Sequence, residues 1–471
     1  MPGPKHIAGI YETCFIAAET VFGTPALSYP VGTDAIEIEE VSINTATAPF
    51  DRADKHGTPG AIFGGENKWT ASGSIKKYIL PSGTPATNPD DIALFTSGGW
   101  KRTVSSADTC DAGSTATQLE TPSHSFAAGQ FIVVAMPAAD QAFQMRRIAS
   151  TNANDITVTP ALTAAPATGA AITAVILLEI DLARDDNQDS LTIHAVGNRR
   201  SVRGVGCAPS KTTIEMGADD GALMTMELIV AKAREFISTA LNGGIAQAAT
   251  SATIHNAPAV ASASGVKATV GDPQYAQIDD EIITITAGGG TTGLTITRGD
   301  LLSSDVLHAD DAEVQPYKPT QTTAGAIVPS TGGELFVAGA KLHADTASLE
   351  IPMGVAPQAP HFGEQWSTTG IKFEANQLLP VCTIEASADA GADAAGQQSL
   401  YLHADTMQTR AASEVFMYQG ATAGELFGFR LPSARLATSE ISGSEDEPTL
   451  SMVWSAKTDT SKTSPIFLMF G

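Results

Sequence analysis

Aromatic side chains make up only 6% of the 471 residues, and bases are outnumbered, 27 Lys and Arg against 51 Asp and Glu. The resulting net charge of −24 excludes ordinary nucleic-acid binding, which needs a basic footprint. An acidic wall still suits a polyanion that passes beside it, because repulsion prevents trapping. The four cysteines, Cys14, Cys110, Cys207 and Cys382, form no CxxC pair. That spacing points to a reducing compartment and away from structural zinc. Glu12 and Glu19 interrupt any signal-peptide core near the start. The longest apolar run, 172–178, is far below the roughly 20 residues that span a bilayer. The expectation is a soluble protein folded in a cytosol, with no membrane partner. The sequence also lacks the local signatures of phosphate cradles, zinc hydrolases and nucleophile elbows. No catalytic residue, metal ligand or cofactor is expected, and an interaction protein is favoured over an enzyme.

What is present is apolar content of 43% with 43 Gly, spread over a length that suggests roughly two to four domains. The stretch 189–232 reads as three strands. Leu191 and Ile193 alternate with Thr192 and His194; Thr212, Ile214 and Met216 alternate with Thr213 and Glu215; Met224, Met226, Leu228 and Val230 alternate with Thr225 and Glu227. Period-2 alternation places one set in a core and the other outward. Turn residues Gly197-Asn198 and 217–221 separate the strands.

Taken in order, residues 1–30 read as an extended arm and 35–39 as a strand. Residues 44–67 form a long polar loop with Phe50, Asp51, Arg52 and Phe63, and loops of that length are usually functional. Residues 69–80 resume as a strand. Asn88-Pro89-Asp90-Asp91 starts a short helix that Gly98-Gly99 ends. Texture then changes to Ala/Thr/Ser-rich short strands over 105–173 and again over 249–316, each a candidate small β-barrel, with a long excursion of the main sandwich as the alternative for the first. After 320 the first pattern returns: a strand at 347–353, a Pro/Gly loop with Phe362 and Trp366, a strand at 379–387, a helix at 397–406, a strand over 425–431 ending at Pro432, and a strand at 449–457. The last (TLSMVWSAK) echoes MTMELIVAK at 224–232, each after an acidic turn. The domain expectation is a first module of 1–103 plus 176–248, an inserted β segment of 104–175, a second insert of 249–318 and a second module of 319–471.

Three further features carry less. Leu-His-Ala-Asp recurs at 307–310, 342–345 and 402–405; its three settings differ, so chance recurrence of surface residues is preferred to a metal site. Arg298-Gly299-Asp300 reads as a turn rather than an adhesion tripeptide. Arg199, Arg200 and Arg203 form the densest basic cluster, either a solvated strand edge or an ion-pair patch for a subunit contact.

Together these residues resemble the tail tube (major tail) proteins of long-tailed bacteriophages. The resemblance rests on E-T-V-F-G-T-P at 19–25, W-T-A-S-G-S at 69–74, G-V-G-C-A-P-S at 204–210 and L-P-S-A-R-L at 431–436. It covers most of 1–103, 176–245 and 320–471. The segment 278–310 resembles a small β-module inserted in phage virion proteins. The implied fold is mainly β, with two tandem antiparallel β-sandwich or barrel tube modules, each with a flanking short helix, plus small β-barrel-like inserts. The implied protein is a non-enzymatic virion subunit, located in the tail and assembled in the host cytoplasm. It would stack as rings into a hollow tube, with two modules per chain giving a homotrimer of pseudo-sixfold symmetry. Implied partners are the chain itself, tape measure and tail terminator or tip proteins, and DNA passing through the lumen without specific binding. Phe50, Asp51, Arg52, Phe63, Phe362 and Trp366 become candidates for ring-to-ring contacts. Thr213, Glu215, Thr225 and Glu227 become candidates for the lumen wall. The alternatives are another virion surface β-protein, such as a decoration protein or receptor-binding adhesin, and a secreted carbohydrate-active enzyme.

Overall fold

Alternating and β-branched segments dominate the chain, and in the computed structural model they form an almost entirely β protein of antiparallel sheets. The structure describes residues 13–26, 32–46, 49–52, 62–66, 70–136, 141–183, 189–197, 199–217, 221–255, 274–288, 291–320, 325, 327–329, 332–342, 344–359, 368–374, 378–387, 412–443, 448–458 and 464–471.

One order of strands occurs twice. In the first unit Glu40–Ala46, Thr70–Tyr78, Leu223–Val230 and the C-terminal half of Arg200–Gly217 lie side by side. In the second, Ala344–Pro352, Val381–Ser387, Pro448–Ala456 and the C-terminal half of Phe427–Gly443 take the same order. Arg200–Gly217 pairs with Ala344–Pro352 and fuses the two units into one eight-stranded inner sheet.

Each long strand then leaves the inner sheet and runs into an outer one. The first outer sheet holds Ala35–Ile36, Thr13–Ala18, Leu191–Val196, the N-terminal half of Arg200–Gly217 and Lys232–Ile237. The second holds Ala340–Leu342, Gly333–Val337, Ser413–Gln419, the N-terminal half of Phe427–Gly443 and Phe467–Phe470, in matching order. Between inner and outer layers lies a single apolar core. Ile43, Ile75, Met226, Ile214, Leu349, Cys382 and Trp454 enter it from the inner sheet, and Ile193, Val415 and Phe429 from the outer sheets. Burying side chains of this size contributes roughly 1.5–3 kcal/mol each.

Several expectations needed correction. Residues 13–18 are no arm: Thr13–Ala18 is an interior strand whose Cys14 and Phe15 are fully buried. The loop expected from 44 holds the end of Glu40–Ala46 and a hairpin, Pro49–Arg52 with Ile62–Glu66. The strand expected near 212 is an 18-residue strand starting at Arg200. Pro432 does not end its strand. Phe427–Gly443 runs through it, because the register shifts between Ser413 and Val415 and leaves a bulge where no N–H is needed. The helix is Ile92–Ser97, capped at Asp91 without a side-chain bond. It starts at Ile92 rather than at Pro89, and Oδ2 of the Asp91 carboxylate forms a buried ion pair with Lys77, 2.6 Å away. The expected second helix at 397–406 and the acidic turns at 218–220 and 444–447 lie outside the described residues.

The texture changes mark two further six-stranded sheets. The first runs from Asp108–Thr109 to Ala171–Ala174, the second from Thr239–Ala240 to Glu313–Pro316. The first is held on a two-stranded stem, Trp100–Val104 and Ile176–Ile180. That stem extends the outer sheet of the second unit, through Phe467–Phe470. Phe131, Val133 and Met145 of this insert pack on Phe336, Phe416, Tyr418 and Met469, the side of that sheet facing away from the main core. In the second insert the run 277–286 is a hairpin, Gln274–Ile278 with Glu281–Ala287, turning at Asp279, whose φ is 53°.

Candidate assembly interface

Two of the sequence motifs meet where the first long strand bends, and a third, 69–74, lies two strands away in the inner sheet. Glu19 is buried and its carboxylate accepts four hydrogen bonds: from Gly23 N–H (2.9 Å), Ser190 Oγ (2.6 Å), Thr192 Oγ1 (2.8 Å) and Gly206 N–H (2.8 Å). Gly206 has φ +66°, and a Cβ built there would sit 2.6 Å from the Ala231 Cβ and 3.1 Å from the Phe22 ring. Only glycine fits such a position. The segments 19–25 and 204–210 therefore act together, turning the strand from the outer sheet to the inner one. Gly73 of the third motif lies where a Cβ would meet the Ser42 carbonyl at 2.8 Å.

The face of the inner sheet opposite the core is polar. Glu40, Glu215, Glu227, Glu350, Glu385 and Glu440 are exposed on it, against Lys76, Lys211 and Arg435. Thr213, Glu215, Thr225 and Glu227 all lie on this face, on two neighbouring strands, with Thr213 directly opposite Thr225. Two ion pairs cross it, Lys211–Glu350 at 3.0 Å and Lys76–Glu39 at 3.0 Å. Both are solvent-exposed, so each contributes at most about 1 kcal/mol.

The eight-stranded sheet ends in two strands that pair on one side only, among the described residues. One is Glu40–Ala46, bonded to Thr70–Tyr78. The other is the C-terminal half of Phe427–Gly443, bonded to Pro448–Ala456. Counting ladder positions shows how the units correspond. Ile43, Gly73, Leu228 and Pro209 form one cross-strand row, and Leu349, Cys382, Trp454 and Leu436 form its equivalent. Even the irregularity repeats, with a register shift between Pro209 and Lys211 and between Leu436 and Thr438. The segment 438–443, whose ladder has no second strand among the described residues, is therefore the counterpart of 211–217, which the internal junction covers. Ile214, under that junction, is fully buried, whereas its counterpart Ile441 is 47% exposed. Sequence reasoning did not single out Ile441; its one cue is a lone isoleucine in the polar run 437–447.

The remaining candidates are spread around this frame. Phe50, Asp51, Arg52 and Phe63 belong to the hairpin between the first two inner strands, with Asp51 opposite Phe63. An equivalent hairpin, Val355–Pro357 with Ile371–Phe373, occupies the same place in the second unit. Phe362 and Trp366 lie outside the described residues. The basic cluster is engaged within the chain: Arg199 pairs with Glu313 of the second insert at 3.1 Å, and Arg200 with Glu235. Arg203 stands in a row with His194 and Arg234 on three adjacent strands and lines a small cavity against Tyr275 and Gln274. Burial, then the Arg203 charge, pushes His194 down to about 3 and Arg234 down to about 9.

His308, expected to be a chance surface residue, is instead buried, with Nδ1 2.8 Å from Asp279 and Nε2 2.8 Å from Glu281. Glu281 also pairs with Arg298 at 2.6 Å, so Arg298-Gly299-Asp300 closes a strand as a structural turn. Near it, His255, Asp310 and Asp311 form an exposed cluster of ligand-type atoms. Of the insert aromatics, Phe126 and Phe131 are buried and do not form exposed platforms. No helix of the described residues is long and apolar enough to cross a membrane. No known family model matches the chain, and no curated protein matches it.

Proposed function

We propose that this chain is a structural subunit that self-assembles into stacked rings, the hollow tail tube of a long-tailed bacteriophage, and that it performs no catalysis. The observation that carries this reading is the doubled inner sheet, with one polar face and two open ends. A sheet with open edges either aggregates or is covered, and heterologous contacts that close on themselves give rings. Two units per chain favour three chains per ring with pseudo-sixfold symmetry. The polar face, where exposed glutamates outnumber the bases, is the candidate lumen wall; it would repel the phosphate backbone of DNA and let it slide. Both inserts attach through the outer sheets, which keeps that face clear. The hairpins at 49–66 and 355–373 extend from the ends of the inner strands, where an adjacent ring would meet them. Tape measure and terminator or tip proteins would be the further partners.

Negative-stain microscopy of the purified protein tests this directly. Hollow tubes with a regular axial repeat are expected. A chain that stays monomeric at all concentrations, with or without other virion proteins, would sink the proposal.

A further inference from the structure

We infer that the partner at the open sheet edge is a second copy of this chain, and that the contact reproduces the internal junction residue for residue. The inference rests on the self-assembly reading above and assigns it an edge and a register. In the internal junction Thr212 opposes Ile351, Thr213 opposes Glu350, Ile214 opposes Leu349 and Met216 opposes Ala347. The ladder rows convert each member to its counterpart in the other unit. Ser439 of one copy then opposes Thr45 of the next, Glu440 opposes Asn44, Ile441 opposes Ile43 and Gly443 opposes Val41. Both strands run the right way, because the internal pair is antiparallel and each open strand keeps its counterpart's direction within its unit.

Three observations on the molecule support this occupant over any other. The two open strands belong to one continuous sheet, so a copy added at either end continues it. The bulge that precedes the internal junction, at Pro209 and Lys211, recurs at the same place before the open edge, at Leu436 and Thr438. A bulge re-aims a strand, and its repetition presents the edge at 438–443 as the edge at 211–217 is presented. Finally, Ile441 is exposed where its counterpart is buried. An incoming strand with Ile43 opposite would cover it, as Leu349 covers Ile214. A register shifted by one residue would turn Ile43 to the polar face, and a shift of two would break the match to the internal junction, so the junction and the apolar pair together point to one alignment.

The experiment uses the full chain with two introduced cysteines, oxidised after assembly and read on a non-reducing gel. The four native thiols are buried and give little background. Directly opposed residues in an antiparallel pair have Cα atoms about 4.5–5.5 Å apart, within disulfide range, whereas diagonal neighbours lie about 7–8 Å apart, outside it. Asn44→Cys with Glu440→Cys is therefore expected to give a ladder of covalently linked chains. Ser42→Cys with Glu440→Cys should crosslink about tenfold less. A second variant, Ile441→Lys, changes a side chain that is exposed in the isolated chain. It should keep the parental circular dichroism and lose assembly. If assemblies form but the slipped pair crosslinks as well as the direct pair, or Ile441→Lys assembles normally, the edge assignment is wrong while the tube reading stands. If no assembly and no crosslink form at any concentration, both fall together.

Discussion

The first insert is anchored by an ion pair that can be taken apart one side at a time. Arg146 of the insert and Glu334 of the second unit are 2.8 Å apart, and both side chains are essentially inaccessible to water. Glu334 also accepts the Tyr418 hydroxyl at 2.7 Å and an ion pair from Lys341 at 3.1 Å. Arg146 has its own carbonyl partners, Ala161 and Met145, and lies 5.2 Å from the centroid of the Phe336 ring. The two halves are therefore not equivalent. Glu334→Leu strands a buried guanidinium with only neutral acceptors and leaves the Tyr418 hydroxyl without its carboxylate. Breaking a buried pair in this way costs about 3–5 kcal/mol. Arg146→Met leaves Glu334 with Lys341 and Tyr418 still in place, so the expected cost is smaller, about 1–3 kcal/mol. The double variant should be more stable than Glu334→Leu alone, because no buried charge is orphaned. Denaturant unfolding of the four proteins, with protease susceptibility of the insert as a second readout, measures the cycle. Additive losses, or a Glu334→Leu cost below about 1 kcal/mol, would refute the docking of the insert through this pair.

Gly206→Ala should cost at least about 1–2 kcal/mol, from the left-handed backbone alone, and more from the contact with Ala231; a melting temperature equal to the parent would show that the bend does not depend on glycine. Acid should loosen the second insert selectively. Burial opposes ionisation of Glu281, but bonds from Arg298, Gly299, Val306 and His308 outweigh it and hold its carboxyl down, from an ordinary 4.5 to about 2. A depressed acid stabilises the fold fully above its unfolded value, and that contribution is lost as pH falls from about 4.5 towards 2. Glu281→Gln should flatten this part of the stability–pH curve; an unchanged curve counts against it. The four thiols should resist labelling in the native protein, since burial pushes Cys14 up to about 12 and Cys110 up to about 11, with Cys207 and Cys382 also raised. Rapid native labelling would contradict their burial.

The parts of this fold that were legible in the sequence are those where one local rule decides the outcome. Leu223–Val230 alternates cleanly because one face meets the core and the other meets solvent, so period 2 survives in the residues. The inserts show as changes of texture because each has its own small core. Arg200–Gly217 is hidden, because Gly204, Gly206 and Pro209 are poor strand residues. They belong to a strand only because the chain changes sheets there, and Glu19, far away in sequence, satisfies the bent backbone. His308 was hidden for a related reason: a histidine reads as surface until its partners are known, and those partners lie 27 and 29 residues away. The echo between 224–232 and 449–457 found the right pair of strands one residue out of step. The ladders align Met224 with Leu450 and Leu228 with Trp454, whereas the shared Ala-Lys endings draw the eye to a different alignment. The apolar faces read from alternation were the better guide, because burial and not identity is what the two units share.

That difference also bears on the two junctions. A ring of single-unit subunits has one kind of junction, and every substitution in it is repeated around the ring. With two units in one chain, the internal and intermolecular junctions can diverge. The internal one carries the Lys211–Glu350 ion pair. The corresponding positions at the open edge are Thr438 and Asn44, both uncharged. An exposed ion pair contributes little energy, but it does impose orientation and discriminate against wrong partners. Inside one chain the neighbour is already fixed, so the pair there secures register as the chain folds. At the proposed contact between copies, Ile441 and the backbone ladder would supply the selectivity instead. Salt should therefore leave assembly through this edge nearly unchanged, whereas Ile441→Lys should abolish it. Assembly that instead weakened steeply between low and high salt would show that charges away from this edge govern the association.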